Sequence, residues 1–106
     1  MGFVFLPTLI LMEKQYQIAL YIRAFNGHAE IARFSIDNDK EEAQSIFDQL
    51  LGLDAAENFT RAIRFHLLDT GEAIDTILST RYCSLYEAME NCKTIIKETF
   101  RIINFE

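Results

Sequence analysis

A tight turn between two alternating segments constrains this chain more than any other feature. From Tyr16 to Phe25, apolar and polar positions alternate with the period of a strand that packs one face on a core. Asn26-Gly27 follows at once, and both residues tolerate the positive φ angles of a two-residue hairpin turn. A second strand is predicted from about Ala29 to Ile36, with inward positions Ala32, Phe34 and Ile36. This stretch therefore predicts a β-hairpin.

A helix is predicted directly after this hairpin. Asn38 and Glu41 have the spacing of a capping box, and acidic residues fill the first turn, where the helix dipole favours them. Gly52 stands in the C′ position that commonly ends a helix. The side chains expected to be buried are Ala43, Ile46, Phe47, Leu50 and Leu51.

The second half of the chain has the same order of signals. Residues 60–68 alternate, Asp69-Thr70-Gly71 supplies a turn, and Ser84 with Glu87 forms a second capping box. Residues 73–82 fit either a strand or a helical stripe, and their Ile and Thr content favours a strand. The helix that follows presents one apolar side, made of Leu85, Ala88, Met89, Cys92, Ile95, Ile96, Phe100 and Ile103.

These elements predict an α+β fold with a ββαββα order, which reads as two copies of one ββα unit. Because a lone hairpin is only marginally stable, we expect one four-stranded, mainly antiparallel sheet with both helices on one face. The length of 106 residues suits a single domain, predicted over residues 13–106. Residues 1–12 form an apolar arm, and the first eleven are either an upstream extension or a segment that docks on a partner.

Composition narrows the classes of function. The formal net charge of −6 argues against a protein that binds nucleic acid or an anionic membrane indiscriminately. The spacing of Cys83 and Cys92 indicates neither a zinc site nor a disulfide framework, so a cytoplasmic location is expected. No phosphate-binding loop, dinucleotide fingerprint or metal-ligand spacing occurs in the sequence, and no cofactor or metal is predicted.

The face of the sheet opposite the helices carries the predicted binding site. Strand parity places aromatic and basic side chains there: Tyr21, Arg23, Phe25, Arg33, Arg64, His66 and Arg81. Mixed aromatic and arginine composition is typical of protein interfaces, which predicts a non-enzymatic module that binds a second copy or another protein. The alternative is an anionic ligand or single-stranded RNA, with aromatic rings stacking bases and arginines holding phosphates.

One short motif suggests a hydrolase as a remote alternative. The segment from Leu67 through Asp69-Thr70-Gly71 to Leu78 resembles the active-site segment of retroviral-type aspartic proteases, which act as homodimers. That resemblance would make Asp69 the catalytic carboxylate, sharing a proton with its symmetry mate. The glycine-rich flap and later bracing glycine of the family have no counterpart, since no glycine follows Gly71. An Asp-Thr-Gly turn between two strands is common hairpin chemistry, and this is the favoured explanation of the motif.

A second resemblance covers residues from about Tyr16 to the end of the chain. It rests on residues 34–43 with Phe47, on Cys83-Ser84-Leu85, and on residues 90–93 and 97–100. These segments resemble a set of small uncharacterised bacterial proteins of Bacteroides type. The resemblance implies a bacterial, cytoplasmic, single-domain protein and carries no activity.

Overall fold

Four strands and two helices make up the part of the chain described by the computed structural model, residues 14–54 and 61–105. In chain order they are β1 (Tyr16–Ala24), β2 (Gly27–Asp37), α1 (Lys40–Asp48), β3 (Ile63–Asp69), β4 (Thr76–Cys83) and α2 (Leu85–Phe105). The strands form one antiparallel sheet in the order β2-β1-β3-β4. The predicted α+β class and ββαββα order are confirmed, and β4 is a strand. The predicted arm, residues 1–12, lies outside the described residues.

Both helices cover the same face of the sheet, here called the helix face. The central strands β1 and β3 supply its alternate positions, with Ile18, Phe65 and Leu67 fully buried. Phe47 of α1 and Ile95 of α2 pack onto them in the same core. The opposite side of the sheet is called the open face. Alternation along the central strands therefore predicted the core correctly.

β-bulges in the two edge strands change which side chains face the helices. The register with the neighbouring strand leaves Ile31 and Ile36 unpaired in β2 and Leu78 unpaired in β4. Because an extra residue interrupts the alternation, positions on either side of it change face. Glu30 and Arg33 consequently share the open face, although they are three residues apart. Arg81, beyond the bulge in β4, lies on the helix face.

The first helix begins one residue later than the capping-box spacing predicted. Asp39 is the N-cap, and its carboxylate accepts a 3.2 Å hydrogen bond from the amide of Glu41. Asn38 instead accepts from the backbone amide just before β1, and so ties the two ends of the hairpin together. Gly52 lies four residues beyond the helix and has a φ of +129°, and a Cβ there would lie 2.7 Å from the carbonyl oxygen of Tyr82. Glycine is therefore required at this position both by the positive φ and by the close approach of the chain to β4.

The second helix is fixed at its start and in its second turn. The predicted capping box is confirmed, because Glu87 accepts from the amide of Ser84 and Ser84 accepts from that of Glu87. One turn later, buried Asn91 accepts from the Leu51 amide at 2.7 Å and donates to the Leu51 carbonyl at 2.9 Å. The Leu51 side chain itself is exposed rather than buried as predicted. The loop after α1 is therefore held to α2 through its backbone.

Candidate interaction surfaces

On the open face, one half is built around Arg33. Its guanidinium forms two hydrogen bonds with Glu30, at 2.8 and 2.9 Å, and a 3.0 Å ion pair with Asp75. It also donates to Gln17 on the neighbouring strand. The hydroxyl of Tyr21 donates to Glu30, and burial, followed by this contact, raises the pKa of Tyr21. Two carboxylates of the chain thus satisfy Arg33, which leaves little positive charge for an external anion.

The other half of the open face is an aromatic and basic cluster. The Arg64 guanidinium lies against the His28 ring and 5.7 Å from the centroid of Tyr82. His66 is buried, with Nδ1 3.0 Å from the Thr80 hydroxyl. Burial and then the nearby charge of Arg64 lower the pKa of His66, which keeps the imidazole neutral at pH 7. His66 is therefore a packed side chain.

Two of the seven predicted site residues do not lie on the open face. The prediction for Arg81 was wrong because of the bulge in β4: its guanidinium lies over the Phe47 ring at 5.2 Å and pairs with Asp54 at 2.7 Å. Phe25 stands in the two-residue loop between Ala24 and Gly27 and is fully exposed at its tip. The turn is one residue earlier than predicted. The residues that do share the open face are Tyr21, Arg23, Arg33, Arg64 and His66.

The Asp69-Thr70-Gly71 turn holds the second hairpin against the start of β1. The Asp69 carboxylate accepts from the Gln15 side-chain amide at 3.0 Å and from the Gly71 backbone amide at 2.9 Å. Both the backbone amide and the hydroxyl of Thr70 donate to the Gln15 carbonyl. The Gln15 contact, followed by that of Gly71, lowers the pKa of Asp69. These contacts support a structural role for the motif.

A row of large apolar side chains runs along the outer side of α2. Leu85, Met89, Ile96, Phe100 and Ile103 are each 55–69% exposed, and half-buried Cys92 lies in the same row. From first to last the row covers about 27 Å at the helical rise of 1.5 Å per residue. The sequence predicted one apolar side for this helix, but only its inner half, with Ala88, Ile95 and Ile102, packs on the sheet.

A shallow groove joins this row to the sheet. Its volume is about 140 Å³, and its lining is apolar on all sides. The strands contribute Leu20, Ile22, Ile31 and Ile63, and α2 contributes Leu85, Ala88, Met89 and Cys92. We call the exposed row of α2 and this groove the α2 surface. Strand alternation did not predict this surface, and its signal in the sequence was an apolar arc on α2 wider than one packing face requires.

The two cysteines lack the lowered pKa of reactive thiols. Cys83 is buried, and its burial raises the pKa to about 12. Burial also raises the pKa of Cys92. Among residues 14–54 and 61–105, no group of three His, Cys, Asp or Glu side chains is placed to hold a metal ion. Thiolate nucleophiles are therefore disfavoured at neutral pH in this part of the chain.

Comparison with protein-family models, with curated proteins and with solved structures found no match to this chain. No helix within the described residues is both long enough and apolar enough to cross a membrane.

Proposed function

We propose that this protein is a non-enzymatic module that associates with a second copy of itself through the α2 surface. The observation that carries the proposal is the continuity of the exposed row on α2 with an apolar groove on the sheet. Together they expose on the order of 700 Å² of apolar area, above the ~300–600 Å² of the largest patch on a typical monomer. Each partner in a standard interface contributes ~800 Å², so two such surfaces suit one another.

The open face of the sheet supports association less well. Arg33, which lies at the centre of one half of this face, is already paired with Glu30 and Asp75. The same pairing weakens the alternative of an anionic ligand or RNA, because two carboxylates of the chain already neutralise Arg33. The two cysteines are free thiols, which accords with the cytoplasmic location we propose.

Mass measurement in solution tests the proposal. Light scattering across a concentration series should give a dimer, and Ile96→Glu, in the middle of the row, should shift it to monomer. The matched control is Lys97→Glu, which places the same side chain one position away on the polar side of α2 and should keep the dimer. Removing the first eleven residues should also keep it. A wild-type protein that stays monomeric throughout the series, or a control that dissociates as readily as Ile96→Glu, would overturn the proposal.

A further inference from the structure

We infer that two copies pair their α2 helices antiparallel, about a two-fold axis at the level of position 94 on the exposed side of the helix, so that Phe100 of each copy enters the groove of the other. The inference rests on the proposed self-association and specifies its geometry. Three features of α2 carry it: the spacing of its exposed apolar side chains, the direction of its helix dipole, and the volume of the groove beside it.

The exposed apolar row is nearly symmetric about position 94. Reversing the helix about that position brings Leu85 opposite Ile103, and Cys92 opposite Ile96. Met89 comes opposite Thr99, and Phe100 comes opposite Ala88. An antiparallel pair therefore sets apolar side chains against apolar side chains over the full length of the row. This is the self-complementarity that a two-fold dimer interface requires.

The helix dipoles favour the same orientation. Antiparallel pairing sets the two dipoles in opposite directions, whereas parallel pairing aligns them side by side. The side-chain charges of α2 do not choose between the two orientations, because reversal about position 94 brings Glu87 level with Arg101 but Glu90 level with Glu98.

The groove has the size of one aromatic ring. Its volume of about 140 Å³ compares with the apolar cavity of about 150 Å³ that binds benzene in another protein. Ala88 and Met89 line the groove, and in the antiparallel register Phe100 of the second copy lies opposite Ala88. Phe100 is 65% exposed on its own chain and would be covered there. In a parallel pair, Phe100 would meet Phe100 away from the groove, and both grooves would stay open.

Disulfide cross-linking tests the register. Ile96→Cys adds a thiol opposite the native Cys92 of the second copy, so oxidation with diamide should give a covalent dimer on a non-reducing gel. Lys97→Cys, one position outside the row, should give none. A second pair, Leu85→Cys with Ile103→Cys in a Cys92→Ala background, should also link two chains. Its two thiols lie about 27 Å apart in one helix and cannot bond within a chain.

Each result has a distinct meaning. Covalent dimers from both pairs support the antiparallel register. A dimer in solution that neither pair can cross-link would overturn the register and leave the proposed self-association in place. Rapid linking of the unsubstituted protein through Cys92 alone would also overturn it, because the register about position 94 places Cys92 opposite Ile96 of the second copy and not opposite the second Cys92. A monomer at every concentration would overturn both proposals.

Discussion

Replacing Phe100 with alanine should weaken the dimer more than any other single truncation on its surface. The side chain is 65% exposed in one copy and lies opposite the groove of the second copy in the antiparallel pair. Burying that area at ~25 cal/mol per Å² contributes about 2 kcal/mol beyond what alanine retains. A two-fold interface contains the contact twice, so Phe100→Ala costs about 4 kcal/mol per dimer, or a roughly 1,000-fold rise in Kd.

Sedimentation velocity over a concentration series measures that Kd directly. Phe25→Ala is the matched control, because it makes the same substitution at an exposed aromatic residue on the tip of the first hairpin, which does not line the groove. The control should bind as wild type does. If Phe100→Ala raises Kd by less than about tenfold, corresponding to 1.4 kcal/mol, the ring does not fill the groove. An equal loss in both variants would show that the effect is not local.

Two further predictions concern the contacts that hold the fold. Asn91→Ala removes both hydrogen bonds to the Leu51 backbone and should lower the free energy of unfolding by about 2–3 kcal/mol in urea titrations at fixed protein concentration. Lys97→Ala, the control on the exposed side of α2, should change that free energy little. Equal effects of the two variants would contradict a stabilising role for the Asn91 hydrogen bonds. Asp69 has a lowered pKa in the folded state, so its contribution is present above about pH 4 and is lost as the pH falls through the lowered value. Asp69→Asn should therefore destabilise the protein at neutral pH and match wild type in strong acid. The control Glu72→Gln, in the same turn, should have little effect at either pH. A loss of stability in Asp69→Asn that is the same at both pH values would count against the role of the carboxylate.

Local signals predicted most of the secondary structure. A hairpin turn, an alternating strand or a capping box is decided by residues within a few positions of one another, as Ser84 and Glu87 illustrate. The shift of the first N-cap from Asn38 to Asp39 is of the same local kind, because either side chain can cap and the choice depends on what else is near. Asn38 instead accepts from the backbone amide of Gln15, which precedes β1 and lies 23 positions earlier in the chain.

The face of each edge-strand residue could not be predicted in the same way. A bulge is a property of two paired strands, and strict alternation beyond it assigns every later side chain to the wrong side. Each bulged strand does contain two adjacent apolar residues, Ile31-Ala32 in β2 and Ile77-Leu78 in β4. Such a pair is not a sufficient signal, because the unpaired Ile36 of β2 has polar neighbours and β1 contains adjacent apolar residues without an extra residue. Arg81 follows the second pair, and its position on the helix face is the result.

The open face and the α2 surface differ in how available they are for binding, because charged and apolar side chains need different kinds of partner. A charged side chain needs only one or two partners, and Arg33 obtains Glu30 on its own strand and Asp75 from another segment of the chain. Composition alone cannot reveal such pairing, so the basic open face looked more available in the sequence than it is. An apolar row needs contiguous area instead, and a four-stranded sheet with one nine-residue helix beside α2 supplies enough for only its inner half. The outer half of α2 is therefore exposed in the part of the chain that the structure describes. The self-association that we propose would remove it from water.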